Sequence, residues 1–163
     1  MKPYVIRVAS GLLCIATTML SNTAFALPPA ANFNDWSLFT AKKSGKDSCY
    51  IASLPTSKRG TYTKRGDPYL LVTYKTRALD EVSLSAGFAF AEKSEASLSI
   101  NSHTYPLFTK DELAWAYDAA TDIKLVEEMK NTTSLQVTST SKKGTYAVDT
   151  YSLTGFTAAY KRM

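Results

Sequence analysis

The chain has 163 residues, with 19 lysines and arginines against 14 aspartates and glutamates, one histidine and two cysteines. A net charge of +5 is too dilute for a dedicated nucleic-acid binder. One histidine and two cysteines supply too few ligands for a zinc centre, so no metal site and no cofactor are expected.

At the start, Lys2 and Arg7 precede an apolar run from Val8 to Leu20, and Ser21-Asn22-Thr23-Ala24-Phe25-Ala26 ends in the small-x-small pattern cut by signal peptidases. This is the layout of a secretory signal peptide over residues 1–26. The apolar run of about 13 residues falls short of the roughly 20 that a membrane-spanning helix needs. Removing 26 of 163 residues leaves 137, enough for one domain with its own core. The leader carries two basic residues and no acidic one, so the net charge falls from +5 to +3. Cys14 goes with the leader; its place within the apolar run, after Leu13, does not suit a lipoprotein site. Cys49 is then alone and no intramolecular disulfide can form. Within Ser48-Cys49-Tyr50-Ile51-Ala52 it reads as a strand residue, either buried or free to pair between chains.

Residues 27–34, with Pro28-Pro29, read as an extended lead-in to a single β-rich domain over 35–163. Trp36–Ala41 and Ser48–Leu54 are expected strands around a turn at Lys42–Asp47. Pro55–Asp67 reads as a long basic loop holding Lys58, Arg59, Lys64 and Arg65. Pro68 introduces a strong strand, Tyr69–Lys75, and Glu81–Phe90 follows with Val82, Leu84, Ala86 and Phe88 on one face. Glu95–Ile100 and Ser102–Phe108 form a pair about Asn101, and Thr133–Ser139 pairs with Tyr146–Leu153 through Lys142-Lys143-Gly144. From Thr121 to Lys130, Ile123, Val126 and Met129 recur every three residues beside Leu125, the stripe of a short helix. Asp118 or Thr121 could cap it, and Asp122 sits near the positive end of its dipole. Gly155–Arg162 reads equally as a helix or a last strand. Seven to nine short strands and one helix near 121–130 predict a mainly β fold, an antiparallel β-sandwich or partly closed barrel.

Groups for catalysis are sparse. Cys49 and His103 fall in expected strands and read as packing residues rather than a nucleophile and its base. There is no Gly-x-Ser-x-Gly elbow and no phosphate-binding glycine loop. Asp118, Asp122, Glu127 and Glu128 lack the ligand spacing of a calcium loop and read as a solvated helix face. A glycosidase pair could still lie among the 14 acidic residues. Arg65-Gly66-Asp67 matches the integrin-binding tripeptide, but Gly66-Asp67-Pro68 is also turn chemistry ahead of the strongest strand, and the turn is the favoured reading. Trp115 and Tyr117 are candidates for stacking on sugars, with sheet packing as the alternative. Between residues 27 and 80 nine basic residues face four acidic ones, and this half could favour an anionic surface. The candidate binding residues are therefore Lys58, Arg59, Lys64, Arg65, Asp67, Trp115 and Tyr117.

Several blocks together resemble one family. They are Asp35-Trp36-Ser37-Leu38-Phe39, Ser48-Cys49-Tyr50-Ile51-Ala52-Ser53, Arg65-Gly66-Asp67-Pro68-Tyr69-Leu70-Leu71-Val72-Thr73 and Glu81-Val82-Ser83-Leu84-Ser85-Ala86-Gly87. Leu107-Phe108-Thr109, Trp115-Ala116-Tyr117-Asp118-Ala119-Ala120-Thr121-Asp122 and Asp149-Thr150-Tyr151-Ser152-Leu153-Thr154-Gly155-Phe156 complete the set. In order along residues 34–160, they resemble the invasion-associated locus B family of exported proteins from Gram-negative, mainly alphaproteobacterial, bacteria. The resemblance implies a periplasmic or outer-envelope protein linked in some pathogens to host-cell entry, with no known reaction and no catalytic residues to carry over. Some related proteins have a second cysteine after the Trp36 block; Phe39-Thr40-Ala41 has none here. The resemblance also implies that Arg65-Gly66-Asp67-Pro68 belongs to the family pattern, which favours the turn. The expected function is binding at the envelope without catalysis. The alternatives are a structural periplasmic factor or a small periplasmic glycan or peptide hydrolase.

Overall fold

Alternation of apolar and polar residues gives most strands of this chain one buried and one open face, and the fold follows from pairing the buried faces. The computed structural model describes residues 28–43, 46–76 and 79–163. The expected leader, with Cys14, and the Ser44-Gly45 part of the first turn lie outside these.

Eleven strands are present: β1 Ala31–Phe33, β2 Trp36–Lys43, β3 Lys46–Ser53, β4 Ser57–Gly60, β5 Tyr69–Thr76, β6 Leu79–Ser85, β7 Glu95–Ile100, β8 His103–Lys110, β9 Leu113–Ala116, β10 Ser134–Thr140 and β11 Tyr146–Ser152. Two helices, α1 Ala119–Lys130 and α2 Phe156–Arg162, complete the described chain. All strand pairs are antiparallel, in the order β1-β2-β3-β5-β6-β9-β8-β7-β10-β11-β4. The sheet is not closed, and the fold is of the β-sandwich type.

Inward residues alternate as a half-buried sheet requires: Leu70 and Val72 on β5, Ala96, Leu98 and Ile100 on β7, Leu135 and Val137 on β10, Ala147 and Tyr151 on β11. Strand β6 departs from this, since Val82 through Ala86 are all buried. Helix α1 packs against this strand and covers its second face, so Ser83 and Ser85 are buried beside Val82 and Leu84.

The opposite ends of the ladder are tied to each other. The Trp36 indole N–H donates to the Ser152 carbonyl at 3.0 Å, and the Asp35 amide donates to the Thr154 carbonyl at 3.3 Å. Trp36 and Phe156, both fully buried, meet edge-to-face with centroids 4.9 Å apart. Gly155, with φ +92°, starts α2 where the chain passes β1 so closely that a Cβ would stand 1.9 Å from the Phe33 carbonyl oxygen.

Several expectations are corrected. Among the described residues the strands number eleven and the helices two; β1, β4 and β9 are too short to show a period of their own. Pro55–Asp67 is not all loop: Ser57–Gly60 pairs with Ala147–Thr150 of β11. Gly155–Arg162 resolves as helix. In α1 the buried face is Leu125, Val126 and Met129, while Ile123 is 51% exposed. The helix starts two residues earlier than expected, with Asp118 as its cap accepting the Thr121 amide at 2.7 Å.

Gly155→Ala meets both a left-handed φ and a backbone clash. It should lower the unfolding free energy by about 2–4 kcal/mol, measured by denaturant titration, whereas Gly144→Ala, with open space around it, should cost far less.

Candidate functional site

Arg65 does not face a ligand. Its side chain is 3% exposed and that of Asp149 is 1% exposed. The guanidinium grips the carboxylate with both terminal nitrogens: Nη1 donates to Oδ2 at 2.8 Å and Nη2 donates to Oδ1. Nη1 also donates to the Ala86 carbonyl at 3.0 Å and Nη2 to the Tyr62 hydroxyl at 3.2 Å. Burial alone would lower the Arg65 pKa, but the Asp149 carboxylate and Tyr62 outweigh it and hold the cation above its ordinary value. Gly66 approaches Gly87 closely, its amide donating to the Gly87 carbonyl at 2.8 Å. Only Asp67 of the tripeptide is an exposed side chain. Arg65 is thus withdrawn from the surface set; residues 64–68 form neither turn nor bend, so the expected turn at Gly66-Asp67-Pro68 is corrected to an irregular segment held by the Arg65 and Gly66 bonds.

The remaining basic residues separate into two groups. Lys58 and Arg59 project from the edge strand β4, both exposed. Lys64 lines a recess of about 370 Å³ together with Tyr62, Phe88, Ser141, Lys142 and Lys143. Two bonds hold this arrangement: the Thr61 amide donates to the Tyr146 carbonyl at 2.9 Å, and the Tyr146 amide to Thr61 Oγ1 at 3.0 Å. They zip residues 61–64 onto the hairpin whose turn carries Lys142 and Lys143. Sequence reading singled out Lys64 but missed these two, because nothing local shows that β4 pairs with β11.

Trp115 and Tyr117 do come together, and Phe108 joins them. Phe108 of β8 stands directly opposite Trp115 of β9, and their rings stack with centroids 5.4 Å apart and planes 21° apart. Tyr117 tilts onto Phe108 at 5.6 Å, and its hydroxyl donates to Glu95 Oε1 at 2.5 Å. Tyr62 is not part of this group; it lies over the Arg65 guanidinium, 4.3 Å from ring centroid to Cζ.

The helix carboxylates are engaged more than a solvated face would be. Asp122 Oδ1 accepts the Val82 amide at 2.9 Å, one residue beyond the Ser83–Trp115 pair where β9 leaves β6. Burial, with help from Glu81, Asp118 and Asp80, raises the Asp122 pKa despite that bond. Glu128 accepts from Tyr105 Oη at 2.5 Å and Asn101 Nδ2 at 3.2 Å, and pairs with His103 Nδ1 at 2.8 Å. Burial would raise its pKa, but these partners outweigh it and hold the carboxylate low. His103 therefore ties the β7–β8 hairpin to α1, and it is exposed. It is far in the ladder from half-buried Cys49 of β3, with β5, β6 and β9 between their strands. Burial pushes the Cys49 thiol up, against the low pKa of a reactive nucleophile. Among the described residues, no group of three or more His, Cys, Asp or Glu side chains could hold a metal ion, and no helix is long and apolar enough to cross a membrane.

Breaking the buried pair should be severe. Arg65→Ala or Asp149→Ala should lower the unfolding free energy by about 3–5 kcal/mol, whereas Asp67→Ala should stay within about 0.5 kcal/mol; thermal and denaturant unfolding measure both. At Asp122, asparagine still offers an oxygen to Val82 and removes the charge. Asp122→Asn should be neutral or stabilising at pH 7, while Asp122→Ala should cost about 1–2 kcal/mol. A carboxylate whose folded pKa is raised contributes stability in acid that is lost as pH rises through that value. Any gain from asparagine should therefore vanish towards low pH.

The family model for invasion associated locus B protein matches residues 36–163. The crystal structure of invasion associated protein B from Bartonella henselae superposes with a TM-score of 0.60 at 14% sequence identity, covering 81% of this chain and 92% of that one. At that identity the likeness concerns the fold. No curated protein matches the chain. With the family model spanning nearly the whole sandwich, from Trp36 through α2, the chain belongs to the invasion-associated locus B family.

Proposed function

We propose that this chain acts as an exported interaction protein of the bacterial periplasm or outer envelope, contributing to host-cell invasion by binding an anionic surface component and not by catalysis. The observation that carries the reading is the basic recess. Lys64, Lys142 and Lys143 surround it with the aromatic rings of Tyr62 and Phe88 and the hydroxyls of Ser141 and Thr145. Among the described residues no acidic side chain lines it and none of the three lysines is in an ion pair. Lysines and hydroxyl donors around one recess suit a phosphate, sulfate or carboxylate on a membrane or glycan. Lys58 and Arg59 on β4 extend the positive field along the neighbouring edge. Export rests on the signal-peptide layout of residues 1–26, and the link to invasion rests on the family.

The test compares the mature protein with a Lys64→Glu, Lys142→Glu, Lys143→Glu variant on host-cell membranes, on the bacterium's own envelope fraction and on vesicles of neutral or anionic lipid. Each lysine near an anionic surface is worth about 1 kcal/mol, so the triple variant should bind on the order of a hundredfold more weakly or worse at low salt. Wild-type binding should fall as salt rises. Equal binding of variant and wild type would sink the assignment of this recess. Binding confined to the bacterial envelope fraction would make the protein an envelope factor whose effect on invasion is indirect.

A further inference from the structure

We propose a second binding site, separate from the basic recess: a saccharide-stacking shelf formed by Phe108, Trp115 and Tyr117. Three strands build it. Glu95 of β7 stands opposite Phe108 of β8, and Phe108 stands opposite Trp115 of β9. Tyr117 lies just past β9 and meets Phe108 with ring centroids 5.6 Å apart. Their neighbours Leu107, Ala114 and Ala116 point into the core, which sends the aromatic set outward. Phe108 is 38% and Tyr117 54% exposed, unusual for large side chains that already touch one another. The Phe108 and Trp115 rings stack, each covering one face of the other, and both still line the recess beside them, while the bond from Tyr117 to Glu95 fixes the third ring.

Beside the rings opens a recess of about 360 Å³, bordered by Lys110, Glu81, Asp118 and Asp122, within the size range of small-ligand sites. Its hydrogen-bonding groups decide what fits. The carboxylates are already engaged: Glu81 pairs with Lys75 at 3.1 Å, Asp118 caps α1, and Asp122 accepts the Val82 amide. Lys110 adds a positive charge at the same rim. The amide bonds leave the charges of Asp118 and Asp122 in place, so the rim is net negative, and each carboxylate keeps lone pairs to accept from sugar hydroxyls. Apolar ring faces beside such acceptors and one ammonium donor match a neutral pyranose, whose C–H face stacks while its hydroxyls donate and accept.

The two tryptophans make the test direct, since Trp36 is fully buried and Trp115 alone can sense a surface ligand. The mature protein is titrated with chitotetraose, cellotetraose, maltotetraose and, as a cation control, tetramethylammonium, by tryptophan fluorescence and calorimetry. Saturable binding of at least one oligosaccharide is expected. It should weaken by roughly tenfold or more in both Trp115→Ala and Tyr117→Ala. It should persist in the Lys64→Glu, Lys142→Glu, Lys143→Glu variant, so failure of either site is read apart from the other. Tyr117→Ala, at an exposed position, keeps the test open if Trp115→Ala misfolds. Three results would overturn the proposal: no saturable response to any sugar, binding of tetramethylammonium alone, or a dimer at equilibrium sedimentation that Tyr117→Ala dissolves.

Discussion

The Arg65 guanidinium and the Asp149 carboxylate meet where water does not reach, and the residues around them take their places from that encounter. Each ion loses several kcal/mol of hydration on burial, a cost tolerable only when almost every donor and acceptor is matched. The fork of Arg65 satisfies Asp149 with two bonds and places a third on Ala86 and a fourth on Tyr62. Those three partners come from the segment before β5, the residue just past β6 and the inner face of β11. A mismatch in the approach of these segments would leave a buried charge bare. The pair thereby fixes register between parts of the sheet that share no ladder. The Arg65 Nε is buried without a partner, so even this arrangement is not complete.

From this tie follow the positions of both surface sites. Arg65 draws the 61–67 segment onto the sandwich, Gly66 settles against Gly87, and Tyr62 and Lys64 are left beside the turn that carries Lys142 and Lys143. On the shelf the determinant is strand pairing itself, since Phe108 and Trp115 are opposed by register and Tyr117 meets Phe108 from just past β9. One site is made by a loop pinned from within, the other by the open face of three strands.

Much of this architecture was legible in the sequence. Alternation over Tyr69–Lys75 and Glu95–Phe108, the Asn101 turn and the apolar stripe of 121–130 all express periods that survive folding. What escaped was short or non-local. Strands β1, β4 and β9 have three, four and four residues, too few for a period, and β4 exists only because β11 pairs with it. Ile123 fits the helical stripe but falls outside the strip that β6 covers, whereas Leu125 lies within it. Arg65 could not be read as buried because its partner is 84 positions away. The family resemblance was legible from its blocks, and the family model matches residues 36–163. The partners of Glu128 and Asp122 carried no local signal, since each bond joins the helix to a strand distant in sequence.

The junction of Trp36 with Ser152 and Phe156 has a kinetic consequence. The first long strand is closed by residues more than a hundred positions later, and the intervening ladder is rich in distant pairings. Such topology makes folding slow, because loop-closure entropy must be overcome before the contacts that reward it can form. Before β11 and α2 have formed, the chain offers neither the Ser152 carbonyl nor the Phe156 ring. Its Trp36 therefore has no partner, and the sandwich cannot shut. Closing of the sandwich around Trp36 is therefore among the last steps of folding, and fraying of either β2 or α2 uncovers the indole.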